Sequence, residues 1–320
     1  MSHIPVIVST VDEDAAREAE RQKDAEASHG RRRHFEFLHF ALHNRKLMGA
    51  ATVELIFILA AIFGPLFTKY GSAQTVSPTV LQPGLHPSWA HPLGTTGIPG
   101  TSGNDMLSLM LYSLRETYLV GFLGAFFGAL VGLVLGFSAG WRGGWVDEIL
   151  QMFTNIFIML PALVLLIVIG SYIKVHTALL EGVFIGCTTW PWVARAVRAQ
   201  TFTLRTRDFV DLARLSGKRG PSIVMKDIAP NMASYLFLVF ILLFAGAMLI
   251  SVSYDFLGLG PTNTPSLGLL LFWATDNSAL TFHLWWWFVP PGAAMTIMVA
   301  AAYIANVGLD EVFNPKLRDM

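Results

Sequence analysis

Apolar residues fall into long, nearly unbroken runs separated by polar segments. Six of the runs, 48–67, 118–140, 149–170, 177–197, 233–252 and 285–307, reach about twenty residues. A helix of that length crosses a hydrocarbon core roughly 30 Å thick. The pattern predicts an all-α membrane protein of about six transmembrane helices. The fourth run is the most polar, because it contains Glu181, Thr188 and Thr189. The polar segments divide the rest of the chain. Residues 1–34 form a charged tail with a possible helix over 11–26, and 35–47 suit a helix lying on the membrane surface. The six-span domain covers 48–310 with a long loop at 199–231, and 311–320 form a second tail.

Inside the runs, spacing adds detail. Gly124, Gly128, Gly132, Gly136 and Gly140 recur every fourth residue of the second run. They trace a groove into which another helix can pack closely. Pro161, Pro191, Pro290 and Pro291 each remove a backbone donor and predict bends, with Thr188 and Thr189 placed to satisfy carbonyls freed near Pro191. Glu54 and Glu181 are ionisable groups within spans, at different depths and with no basic partner in any span. Their readings are buried hydrogen bonds, a subunit interface or a proton relay. Trp285, Trp286 and Trp287 stand where an interfacial aromatic belt is expected. The single cysteine, Cys187, excludes an intramolecular disulfide and suits a small helix residue. His39 and His43 are four residues apart but lack a third ligand nearby.

Composition agrees with a lipid environment: 53% of residues are hydrophobic, only 14% are charged, and mean hydropathy is +0.53. Formal charge is zero, which argues against nucleic-acid binding. The charges are nevertheless segregated. In a six-span arrangement 19 of the 22 Lys and Arg residues fall on one side, and only Lys69, Arg115 and Lys174 on the other. The positive-inside rule then makes both termini cytoplasmic. The first 34 residues hold no apolar region of the kind that precedes a cleavage site, so no cleaved signal peptide is expected. A multi-pass membrane location follows.

The long loop carries the most specific pattern. In 207–216, RDFVDLARLS, apolar Phe209, Val210, Leu212, Ala213 and Leu215 alternate with charged residues, and Gly217 suits a helix C-terminus. Pro221 opens a second short helix that ends near Pro230. Two short helices around a glycine turn present an apolar and basic knob that suits burial against a partner. Ser216-Gly217-Lys218 is not a phosphate loop, because Arg219 follows and the upstream Gly is missing. No nucleophile, base and acid are grouped, so no catalytic residue is assigned.

Here the chain resembles a known family. Asp211, Ala213 and Gly217 match the E-A-A-x-x-x-G loop of ABC importer permeases, with Asp for Glu and with Leu212 for the first Ala. His91-Pro92-Leu93-Gly94-Thr95, Trp190-Pro191, Ala194-Arg195, residues 256–261 (FLGLGP), Pro265-Ser266-Leu267-Gly268, Gly308-Leu309-Asp310 and Asn314-Pro315-Lys316-Leu317 resemble the second permease of the oligopeptide/dipeptide/nickel class. Thr96 and Gly103-Asn104-Asp105 depart from the class pattern. Residues 192–198 and 209–214 resemble members that carry oligosaccharides.

The resemblance implies half of a translocation path, with the loop helix as coupling helix through Asp208, Asp211, Leu212, Ala213, Ser216 and Gly217. It also implies a second permease subunit, two cytosolic ATPases carrying ATP and Mg, and an extracytoplasmic binding protein. This chain would bind no cofactor or metal of its own and would lie in a plasma (inner) membrane. The cargo would be a peptide or an oligosaccharide. The alternative is a secondary transporter or channel driven by an ion gradient, which predicts repeated halves and midplane ion ligands. A membrane scaffold with no cargo is a further alternative.

Overall fold

Hydrophobic runs have become helices wherever the computed structural model describes the chain, which is at residues 40–68, 70, 83–98, 101, 103–173, 177–261 and 264–313. The expected tail 1–34, the possible helix at 11–26, residues 35–39 of the surface segment, His39 among them, and the 314–317 motif lie outside those residues; residues 40–43 are helical. The main helices are α1 (Arg45–Phe67), α2 (Met106–Arg142), α3 (Gly144–Met159), α4 (Ala162–Tyr172), α5 (Ala178–Leu204), α6 (Asp208–Leu215), α7 (Gly220–Ile223), α8 (Ala233–Phe256), α9 (Leu267–Asp276) and α10 (Trp285–Phe313). Among the described residues there is no strand, only an isolated bridge between Thr95 and Asp105. By length and composition α1, α2, α8 and α10 are each long and apolar enough to cross a membrane.

The α3–α4 pair counts as a fifth crossing only if it is taken as one, because the two helices meet at 84°. The break is at Pro161, which caps the start of α4 and cannot donate to the preceding turn. The third apolar run is therefore an elbow and not one straight span. The fourth run lies within α5, 27 residues long, whose C-terminal part carries Arg195 and Arg198. Pro191 sits inside it without a break. The Thr188 and Thr189 hydroxyls donate to the Ile185 carbonyl at 2.8 and 2.9 Å. The carbonyl that Pro191 leaves free is that of Cys187, so the two threonines do not fill the place expected of them.

α2 and α5 form the central pair. α2 turns its glycines to α5, and the facing residues recur every fourth position too. A Cβ at Gly128 would meet Thr189 Oγ1 at 2.7 Å, at Gly132 the Val193 Cβ at 2.5 Å, and at Gly140 the Thr201 Cβ at 2.7 Å. From the other side, Gly182 and Gly186 of α5 lie against Leu123 and Phe127. Such contact gains dispersion energy that lipid cannot supply by itself. α1 runs antiparallel to α2, since Gly64 near its end packs on Leu111 and Glu54 Oε2 accepts from the Tyr118 hydroxyl at 2.6 Å. Ala61, Leu114, Met248, Val252 and Met298 join α1, α2, α8 and α10 in one apolar core. The start of α1 and the end of α10 are clasped together. Asn44 Nδ2 and Lys46 Nζ donate to the two Glu311 carboxylate oxygens at 2.9 and 2.6 Å.

The opposite end of the bundle is covered by residues 83–98 and 103–105. Gly94 there has φ +70°, and a side chain would strike the Leu85 carbonyl and the Trp286 ring. Asp105 caps α2 through the Ser108 amide at 2.9 Å and lies 2.8 Å from His91 Nδ1. Trp286 and Trp287 are buried, with Trp286 Nε1 donating to the Thr95 carbonyl at 3.0 Å. Only Trp285, 52% exposed, faces outward. The tryptophan triplet is thus mostly core under residues 83–98 rather than an exposed belt.

Candidate functional site

The loop between α5 and α8 forms a small unit with its own core. Arg205 ends α5, and three residues later Asp208 begins α6 with Asp208 and Asp211 in its first turn, where acids favour the helix dipole. α6 ends in a two-bond glycine stop. Gly217 N donates to the Arg214 carbonyl at 2.9 Å and Lys218 N to the Ala213 carbonyl at 3.2 Å, with Gly217 at φ +74°. Lys218 Nζ then bonds Asp227 at 2.8 Å across the turn. After α7 comes a π-helical turn, Val224–Ile228, set just before Pro230, whose ring would displace the Lys226 carbonyl in a regular helix.

One side of α6 is anchored. Val210 and Ala213 are buried with Val193, Val197, Ile223, Val224, Ile228 and Met232. Each buried Val or Ile contributes about 1.5–3 kcal/mol relative to exposure. The other side is bare: Leu212 is 65% exposed and Leu215 85%. Asp208, Asp211, Ser216 and Gly217 are exposed as well. Of the residues expected to act together, only Ala213 faces inward. The Asp211 carboxylate accepts from Arg214 Nη1 at 2.9 Å, and Ser216 Oγ donates to the Leu212 carbonyl at 2.8 Å.

Behind α6 the ends of α2 and α5 are tied by charge. Arg205 Nη1 donates to the Trp141 carbonyl at 2.9 Å, and the Arg214 guanidinium lies over the Trp141 ring, 5.2 Å from its centre. The Arg198 guanidinium grips Asp147, which sits ahead of the third apolar run, through Nε and through Nη2 at 2.6 Å. Those bonds hold the Asp147 carboxyl below the usual carboxylate range. Arg195 Nη2 bonds Asn155 Oδ1 at 2.8 Å. α6 thus touches the ends of α2 and α5 through Trp141 and Arg205, and α5 is tied to α3 through Arg195 and Arg198. Trp141, Arg198 and Arg205 were not singled out from the sequence for this role. The available signal was the run of arginines along the end of α5, which charge counting uses only for orientation.

Higher in the bundle, a cleft of about 480 Å³ opens between α5 and α8, lined by Thr189, Trp192, Tyr235, Leu243, Gly246 and Tyr303 among others. Glu181 is buried beside α8, its Oε1 accepting from the Ser251 hydroxyl at 2.7 Å. Glu54 and Glu181 thus each have a hydroxyl donor and lie in different contacts. Among the described residues no group of three or more His, Cys, Asp or Glu side chains is placed to hold a metal. Cys187 is exposed on α5.

With this geometry in hand, the chain can be set beside known proteins. Residues 132–319 match the family model described as binding-protein-dependent transport system inner membrane component. The oligopeptide transport system permease protein OppC of Lactococcus lactis subsp. cremoris (strain SK11) is 28% identical over 83% of this chain and 89% of its own length. The dipeptide transport system permease protein DppC of Escherichia coli (strain K12) is 32% identical over 88% of this chain and 93% of its own. Among solved structures, a chain of the MetNI methionine ABC transporter in an inward-facing form aligns with TM-score 0.44 and 19% identity. That alignment covers 62% of this chain and 97% of the other.

Proposed function

The chain belongs to the family of binding-protein-dependent transport system inner membrane components, and from that membership we propose that it couples ATP hydrolysis on partner subunits to peptide import through α6. It is a multi-pass membrane protein and a permease subunit of an ABC importer, not an enzyme; in this family ATP is hydrolysed by separate subunits. The proposed arrangement has six crossings, α3–α4 supplying one and α5 another, with both termini and α6 on the cytoplasmic side. The segregation of Lys and Arg supports that orientation. The tails 1–34 and 311–320 and the surface segment 35–47 flank the six-span domain, with 199–231 as its coupling loop.

One observation carries the coupling assignment. α6 is fastened on one side by Val210 and Ala213 and leaves Leu212 and Leu215 bare beside the Asp211–Arg214 pair. Exposed leucines on a short, anchored, capped helix suit a groove on a partner surface. The ATPases would push on Asp208, Asp211, Leu212, Ser216 and Gly217. Ala213, Val210 and the arginine ties of α5 would carry the movement into the bundle. The cleft between α5 and α8 is the candidate for this chain's side of the path, which a second permease subunit would complete. The naming of the relatives supports peptide as the cargo, delivered by a binding protein.

Tagging the chain, extracting it in mild detergent and identifying its companions by mass spectrometry tests the reading. The expected companions are a second permease and phosphate-loop ATPases, with the ATPases lost from Leu212→Asp/Leu215→Asp while the second permease stays. Recovery of the chain alone, in a state that still transports, overturns the reading and favours ion coupling.

A further inference from the structure

A cavity of about 550 Å³ lies between the end of α2, the end of α5 and one flank of α6, lined by Trp141, Arg142, Arg205, Thr206, Asp211 and Arg214. Three guanidinium groups face a single carboxylate there. That carboxylate already accepts from Arg214, and Arg205 spends one N–H on the Trp141 carbonyl. The Arg142 guanidinium has no hydrogen-bond or ion-pair partner among the described residues. The cavity therefore carries an excess of two positive charges, with donors left over on all three arginines, and no part of the coupling role described above uses Arg142.

What approaches along α2 narrows the ligand. Opposite the glycine stripe, a second stripe on α2 runs Phe122, Phe126, Leu130 and Val134, each between 46% and 58% exposed. Continued at the same spacing it passes Ser138 and ends on exposed Arg142. From Phe122 to Arg142 is twenty residues, about 30 Å of helix and so about one hydrocarbon thickness. Trp145, 82% exposed, stands just past the end. An apolar lane that ends on a free arginine beside two tryptophans has the form of an acyl chain meeting its headgroup, and basic pockets at the cytoplasmic surface favour anionic lipids.

We propose that this cavity binds the phosphate of an anionic phospholipid, with Arg142 and the remaining N–H groups of Arg205 and Arg214 as donors and the acyl chains along Leu130 and Val134. Guanidinium suits this task because its planar fork holds phosphate oxygens in pairs. A lipid seated there touches α2, α5 and α6 at once, so it braces the coupling helix along its flank. The placement at the cytoplasmic surface rests on the orientation proposed above.

The assembled importer, reconstituted with equal amounts of phosphatidylglycerol and phosphatidylcholine and released for native mass spectrometry, provides the test. Preferential retention of phosphatidylglycerol is expected. Arg142→Gln should lower it about tenfold, the loss of one charge-assisted hydrogen bond. Arg219→Gln, an exposed arginine outside the cavity, should not. Equal retention of the two lipids, or unchanged retention in Arg142→Gln, overturns the proposal. Displacement of the lipid by millimolar inorganic phosphate would assign the cavity to a free anion and overturn the lipid reading. If the ATPases fail to copurify, the coupling function falls, while lipid retention by the chain still reports on the cavity.

Discussion

Gly132 of α2 and Val193 of α5 touch so closely that a methyl group at position 132 would sit 2.5 Å from the Val193 Cβ. Neither helix can shift there, because the same fit repeats a turn away at Gly128 against Thr189 and at Gly136 against Val197. Gly132→Val should destabilise the chain by about 1–3 kcal/mol, the usual cost of overpacking. The check is thermal melting in detergent. Val193→Ala in the same chain should restore part of the loss, and an absence of coupling between the two changes would show that the helices separate elsewhere.

Gly217 offers a different kind of test, because nothing lies within 4 Å of where its Cβ would be. Strain alone acts there. Gly217→Val forces a β-branched residue into the left-handed region and should cost about 1–2 kcal/mol locally. Membrane insertion should be intact and ATP-driven uptake strongly reduced. Gly217→Asn, better tolerated in that conformation, should retain more uptake.

The cleft between α5 and α8 can be filled without disturbing the fold. Gly246 lines it, and a Cβ there meets no atom within 4 Å. Gly246→Trp should leave expression, melting temperature and ATPase copurification unchanged while lowering uptake severalfold. Normal uptake by a stable Gly246→Trp protein would remove the cleft from the path.

Trp286 and Trp285 are neighbours with opposite roles. Trp286→Phe removes the donor to the Thr95 carbonyl and should cost about 1 kcal/mol, more if the carbonyl stays dry. Trp285→Phe, half exposed, should fall within about 0.5 kcal/mol. Denaturation of the two variants under identical conditions distinguishes them.

Much of this was open to reading along the chain. The glycine period on α2 and the glycine turn after Leu215 depend on local spacing, which sequence displays directly. What stayed hidden depends on partners far along the chain. Trp286 looks like its neighbour until Thr95, 191 residues away, is placed against it. The fate of Thr188 and Thr189 turned on which carbonyl lay within reach, a matter of one helical residue. A bend at Pro161 is legible in the chain, but its 84° angle is not. Arg205 and Trp141, which tie the loop to α2, are separated by 64 positions and carry no motif.

The clasp of Asn44 and Lys46 on Glu311 makes the described chain nearly a ring. Gly308 presses on Leu47 one turn further in, so the closure is apolar as well as ionic. In a ring the order of the helices matters less than their neighbours, and the place where synthesis starts is not fixed by the architecture. Two consequences follow: new ends cut into a surface turn would leave every helix with the same companions, and residues 44 and 311 keep to the same corner of the bundle.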